Sequence, residues 1–230
     1  MGEKKQKAAA GRKWNKAIVI VVGVLFVVLM VVSAMGSSWI NSLAVAKPGD
    51  LVTVDYTLYD SSGTPIVTTD QQVFKNAIAK GSGMIYSKQL SITANQSYTD
   101  AIYPVQVYTV GTGWGNQFAI FSKEYDAVSS GVVGMKANDR KTISLPADNS
   151  MTQLWTPDQL ERNNVNISAL QVGDIISMGV SDNPSELKAN SSAITDIRLA
   201  EVTRKSDAGA VVNFGYPRID ISVASINTKH

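Results

Sequence analysis

Pro48-Gly49-Asp50-Leu51-Val52-Thr53-Val54-Asp55-Tyr56-Thr57-Leu58-Tyr59 is the most regular stretch of the chain. From Leu51 onward, β-branched and aromatic residues crowd together with partial alternation, the mark of a half-buried strand. Asp60-Ser61-Ser62-Gly63 follows, where short polar side chains and a glycine favour a turn, and Thr64 to Thr69 resumes the strand pattern. These residues predict a β-hairpin.

Downstream, the pattern weakens between Asp70 and Gly115, with a short helix expected at 71–80, a polar stretch at 91–100 and a β-rich run from Ile102 to Val110. Gly111-Thr112-Gly113-Trp114-Gly115 resembles a phosphate loop only in glycine content. No helix pattern and no GK[ST] follow it, so it reads as a turn. Phe118 to Phe121 is a strand. Glu124 to Gly134 is a short helix, because Tyr125, Val128 and Val132 recur at helical spacing and Gly134 can turn left-handed at its end. Lys141 to Leu145 is a strand stopped by Pro146. Thr156-Pro157-Asp158-Gln159 opens a helix: Thr caps it, Pro takes the first position, Asp meets the positive first turn, and Gln completes a capping box. Trp155 just ahead of it is either a hydrophobic staple or part of a site lining. Strands are then expected at 172–180, 193–203, 210–214 and 219–226.

Upstream of the hairpin, Ala17 to Met35 is a run of nineteen uncharged residues preceded by Lys4, Lys5, Lys7, Arg12, Lys13 and Lys16 against Glu3 alone. As a helix it would be roughly 28 Å long, near the thickness of a bilayer core. Trp14 and Trp39 bracket it, where amphipathic rings prefer the membrane interfaces. The positive-inside rule then predicts a single-pass membrane protein with a cytoplasmic N-terminus and residues 47–230 outside. A cleaved signal peptide is the rival reading, with Ala44-Val45-Ala46 as its A-x-A site. Its apolar core is longer than the usual 7–15 residues, which favours a retained anchor. Met1-Gly2 is no myristoylation signal, since Gln6 stands where Ser or Thr is required.

Setting aside those six cations and one anion from the 21 and 19 of the whole chain leaves 15 basic and 18 acidic side chains, a net of −3. The basic balance belongs to the N-terminal tail, where it suits anionic headgroups. The remainder has no basic stripe, which argues against nucleic acid as a partner. Cysteine is absent, so there is neither a disulfide framework nor a thiolate nucleophile. The one histidine is His230, the last residue, which removes His-based triads and His metal sites. No cofactor and no metal are expected. Asn95-Gln96-Ser97, Asn166-Ile167-Ser168 and Asn190-Ser191-Ser192 are candidate glycosylation sequons.

Four segments, in order, resemble the FKBP-type peptidyl-prolyl cis-trans isomerases, particularly the long bacterial and archaeal form that includes the SlyD-like metallochaperones. The hairpin at 48–64 is similar to the family's GD-x-V-x-V-x-Y-T … DGT. Gly131-Val132-Val133-Gly134-Met135-Lys136-Ala137-Asn138-Asp139-Arg140-Lys141-Thr142-Ile143-Ser144-Leu145-Pro146 resembles LLGMKVGEKRTVTIP. Leu170-Gln171-Val172-Gly173 is similar to the LQVG that leads into a domain inserted in the flap. Val211-Val212-Asn213-Phe214-Gly215-Tyr216-Pro217 with Ile221-Ser222-Val223 is similar to the return strand.

The apolar run and the resemblance together give an α+β expectation: one N-terminal transmembrane helix from the first, then, as the resemblance implies, an FKBP-like curled antiparallel sheet around a short helix, with a small β-rich inserted domain. It divides the chain into a basic tail (1–16), the transmembrane helix (17–35), a tether (36–47), an FKBP-like domain (48–146 plus 217–230, with an insertion at about 70–115) and a flap-type domain (147–216). The resemblance also implies a substrate pocket of Tyr56, Ile66, Val67, Tyr125, Val128 and Ile221. Several of these depart from the family. Ile66-Val67 replaces Phe-Asp, Val128 stands at the pocket-floor tryptophan, Ile221 replaces a Phe, and Asp148 to Met151 replace the tyrosine expected after Pro146. The aliphatic members fit a hydrophobic core as well as a pocket.

Proline isomerisation needs no nucleophile. It needs an apolar pocket and placed donors that favour the twisted amide over a barrier of about 18–20 kcal/mol. The resemblance therefore implies a membrane-anchored isomerase-like folding helper with weak catalysis, acting on unfolded or proline-containing polypeptides. A non-catalytic binding module, and a structural subunit of a cell surface or membrane complex, are the competing readings.

Overall fold

A computed structural model describes residues 20–31, 33, 44–109, 113–146, 151–181 and 196–227. The chain separates into two compact units, Met1–Leu43 and Ala44–His230. In the first, residues 20–31 and 33 are helical, with exposed side chains from Ile20 to Val31. Residues 17–19, 32, 34 and 35 of the apolar run, with Trp14 and Trp39, lie outside the described residues. The expected transmembrane helix, and with it the single-pass localisation, is corrected: among the described residues no helix is long and apolar enough to cross a membrane.

The second unit is built on β1 (Leu51–Tyr59), whose alternation buries Val52, Val54, Tyr56 and Leu58 on one face. The turn at 60–63 is held by Asp60, whose carboxylate accepts from Thr64 N and Ser62 Oγ, while Gly63 supplies a φ of 82°. Both edges of β1 are used. On one side it pairs antiparallel along its length with β12 (Arg218–Asn227), which pairs in turn with β7 (Arg140–Ser144). On the other side it pairs with β2 (Pro65–Thr68) at one end and β4 (Leu90–Thr93) at the other.

From β2 the chain forms α1 (Gln71–Ala79), capped by the Asp70 side chain, and returns as β3 (Ile85–Ser87), parallel to β2. A parallel neighbour requires such a crossover, because a two-residue turn can only reverse a strand. β5 (Ile102–Thr109) and β6 (Gly113–Phe121) pair antiparallel; of the Gly-rich stretch, Gly113, Trp114 and Gly115 belong to β6, and 111 and 112 lie outside the described residues. β6 leads into α2 (Ser122–Gly131), which packs Tyr125 and Val128 into the core. At its last residue a Cβ would collide with the Ile143 side chain, so glycine permits the close approach of α2 to β7.

β8 (Thr152–Trp155), α3 (Pro157–Arg162), β9 (Ile175–Val180), β10 (Asp196–Ser206) and β11 (Gly209–Asn213) follow. The capping box at Thr156 and Gln159 forms as the sequence requires. These elements enclose a second core of Leu160, Leu170, Met178, Ala200, Val202, Ala210, Val212 and Phe214.

The expected fold class is corrected. The described strands form one mixed sheet of twelve, in the order β7-β12-β1-β2-β3-β5-β6-β10-β11-β8, with β4 on β1 and β9 on β10. It is not an FKBP-like antiparallel curl with a separate small β domain. The physical cause lies in the insertion at 70–115 together with the strand expected at 118–121. They supply the parallel β2–β3 step and the antiparallel β5–β6 pair, and β6 joins β10 in parallel, carrying the sheet into the C-terminal strands.

Candidate functional site

Tyr56, Ile66, Val67, Tyr125, Val128 and Ile221 come together in one hydrophobic cluster. They form an interior and not an open cup: Tyr56 is 2 % exposed, Val67 0 %, Val128 1 % and the others no more than 6 %. Alternation turns Tyr56 of β1 and its partner Ile221 of β12 to one face with Val67, which pairs with Leu58; Ile66 beside it lies at the bulge in that pairing, and Val105 and Val107 of β5 and Phe118 of β6 join the same cluster. The Tyr56 hydroxyl accepts from Ser87 Oγ at 2.7 Å, both groups buried. Burial pushes the Tyr56 phenol well above its ordinary range, partly offset by that hydrogen bond. Tyr125 is likewise engaged, its hydroxyl accepting from Thr93 N at 3.1 Å. Val67, at the position of the family's acidic residue, offers no charge.

The charge in this interior comes from residues that sequence reasoning did not single out. Arg198 of β10 is 0 % exposed and Glu124, in the first turn of α2, is 2 % exposed. Nη2 of Arg198 lies 2.5 Å from Glu124 Oε1 and Nη1 lies 2.9 Å from Oε2, a bidentate pair. The guanidinium also donates to the Ala119 carbonyl at 2.6 Å through Nη1. It reaches the Phe214 carbonyl through Nε at 3.0 Å and Nη2 at 2.7 Å. Every donor group thus has a partner, which a buried guanidinium demands. Rings surround it: the guanidinium carbon is 4.0 Å from the Tyr216 ring centre, 4.3 Å from Phe121 and 5.4 Å from Phe118. Burial alone disfavours the guanidinium's charge, but the Glu124 carboxylate and Tyr216 together outweigh it and hold the Arg198 pKa above its usual value. Burial also raises the Tyr216 phenol, against the pull of Arg198, and its hydroxyl donates to the Leu199 carbonyl at 2.8 Å. A sequence signal for Arg198 exists. It interrupts the run Ile197-Arg198-Leu199-Ala200 in a strand whose neighbours are buried, where an unpaired charge is untenable.

Two surface features adjoin this interior. A polar groove of about 590 Å³ runs over β1, β12 and β7, lined among others by Asp55, Tyr56, Thr57, Arg140, Asp220 and Ile221, so two of the six expected pocket residues also border it. On β3, β5 and β6, Tyr86, Tyr108 and Trp114 project from paired positions, joined by Phe74 of α1. Their ring centres are 5.3 Å (Phe74–Tyr86), 5.5 Å (Tyr86–Trp114) and 5.8 Å (Tyr108–Trp114) apart, and Lys88 Nζ lies 5.5 Å from the Trp114 ring centre. Trp114 and Tyr108 are exposed.

Trp155 is half-buried and packs on Phe214, with ring centres 6.1 Å apart. Asn95 is an exposed turn residue with φ 54°. Asn166 is exposed, and its side chain accepts from Ser168 N. Asn190 and His230 lie outside the described residues. Comparison with protein-family models and with curated proteins finds no match to this chain. The FKBP-type resemblance therefore rests on the motifs quoted above.

Proposed function

We propose that this chain is a non-catalytic polypeptide-binding module with an FKBP-type pocket that has been filled in. The observation that carries this reading is the closure of the would-be pocket. Its six residues are core, the Tyr56 hydroxyl is taken by Ser87, and no carboxylate stands at Val67. An isomerase must admit a proline ring and stabilise the twisted amide in the transition state. A site without room for the ring does neither. Binding is supported by the exposed rings of Tyr108 and Trp114, backed by the half-buried Tyr86, since aromatic side chains dominate polypeptide contact surfaces. Its expected partners are unfolded segments carrying apolar side chains.

The test uses the full chain in two assays: isomerisation of a short proline peptide, and suppression of aggregation of a chemically unfolded protein. The expected result is no acceleration of isomerisation, with aggregation suppressed by the wild type and less so by Tyr108→Ala/Trp114→Ala. Turnover that disappears in Tyr56→Ala would restore the isomerase reading. Failure in both assays would move the assignment to a structural role.

A further inference from the structure

The two halves of the sheet meet along a thin seam. β6 and β10 share a single ladder pair, Ile197 with Phe118. β10 is paired with β9 from Asp196 to Glu201 and with β11 from Glu201 to Ser206. Backbone hydrogen bonding therefore holds β10 to its own lobe far more firmly than to β6. Arg198, next to the one ladder pair, supplies what the seam lacks. From β10 it reaches across to the Ala119 carbonyl of β6 and to Glu124 of α2. The remaining partners, the Phe214 carbonyl and the Tyr216 ring, belong to the connection that leads from β11 back to β12. Ser61 with Glu201 also bridges the halves, but at the exposed surface, where such contacts hold little. Each side has a hydrophobic cluster of its own, and the two are joined at the seam by Leu199 of β10 and Ile175 of β9, which pack in the first, and by Phe121 of β6, which packs on the second.

We propose that Arg198 is the lock of a hinged lobe. β8 to β11, with α3, open from β6 and α2 as one unit when the guanidinium leaves its cage of Phe118, Phe121, Tyr216 and Glu124. The connection 214–217 is the hinge. Opening uncovers the rings of the cage. On the polypeptide-binding reading, that provides a second, internal surface for clients, while the lock itself stands independently of that reading. Sub-global opening of this kind is the usual form of motion where one cooperative unit is joined to another by few contacts.

Hydrogen exchange read by mass spectrometry on the full chain tests it. In the wild type under low urea, amides of β9, β10 and β11 should exchange through an opening with a weaker urea dependence than those of β1, β7 and β12. In Glu124→Gln, exchange in β9 to β11 should accelerate on the order of a hundredfold or more while keeping a weaker urea dependence than that of β1 and β12, because a buried charge has lost its partner. One shared opening for both sets of amides in the wild type would overturn the proposal, whether or not the variant folds. So would exchange in β9 to β11 that Glu124→Gln leaves unchanged. Loss of aggregation suppression with the lobe opening intact would overturn only the binding reading.

Discussion

Replacing Glu124 by Gln changes almost no volume but removes the negative charge facing a guanidinium that solvent does not reach. Two charge-assisted hydrogen bonds between opposite charges, each worth about 1.5–3 kcal/mol, become at most one bond from the guanidinium to the uncharged Gln carbonyl oxygen. Gln Nε2 is left pointing at a donor, and the Arg198 charge stays buried and uncompensated. The sum agrees with the general cost of breaking a buried pair, about 3–5 kcal/mol. Against a total stability of about 5–15 kcal/mol that is a large fraction. With an m-value of about 2 kcal/mol/M, the urea midpoint should fall by about 2 M, read by tryptophan fluorescence and far-UV circular dichroism. The double variant Glu124→Leu/Arg198→Met should not return to wild-type stability. It strips the partners from the buried Ala119 and Phe214 carbonyls, each costing about 1–3 kcal/mol when orphaned. A midpoint shift below about 0.5 M in Glu124→Gln at unchanged m would refute the reasoning, since a pair so cheaply broken is not desolvated.

Tyr56→Phe should destabilise by about 1 kcal/mol through the lost bond with Ser87, measured by urea titration, and by less when combined with Ser87→Ala. The buried phenols of Tyr56 and Tyr216 have folded pKa values raised above the unfolded value of about 10. Their stabilisation is therefore full below about pH 10 and is lost as the pH climbs beyond it. The urea midpoint should fall above that pH and fall less steeply in Tyr56→Phe; an unchanged slope would assign the alkaline loss elsewhere. Gly131→Ala should cost about 1–3 kcal/mol, because its Cβ meets the Ile143 side chain, and Ile143→Ala should relieve part of that cost in a double-mutant cycle. Thr156→Ala should cost about 1 kcal/mol by removing the cap on α3, with Thr156→Ser retaining most of it.

Local chemistry was legible in the chain itself. The hairpin at 51–68, the Asp60 turn and the capped helix at 157–162 each follow from neighbours within a few residues, where side-chain alternation, turn chemistry and capping act without help from elsewhere. The helix over Ser122–Gly131 was legible from the spacing of Tyr125 and Val128, although it starts two residues earlier than the apolar period suggests, because Glu124 caps back onto Phe121 N. Only the tertiary structure decided whether Tyr56, Ile66, Val67 and Ile221 line a pocket or a core. Burial depends on what packs on a face, and Val105, Val107 and Leu90 of the same cluster come from 70–115, whose local pattern is weak. The same holds for the sheet as a whole. A parallel β2–β3 step and a single β6–β10 bridge are long-range pairings that leave no periodic mark on either partner. The Arg198–Glu124 pair spans 74 residues. Each side chain reads as ordinary in its own segment, and the pair exists only because folding removes both from water at one point, where neither charge could remain without the other.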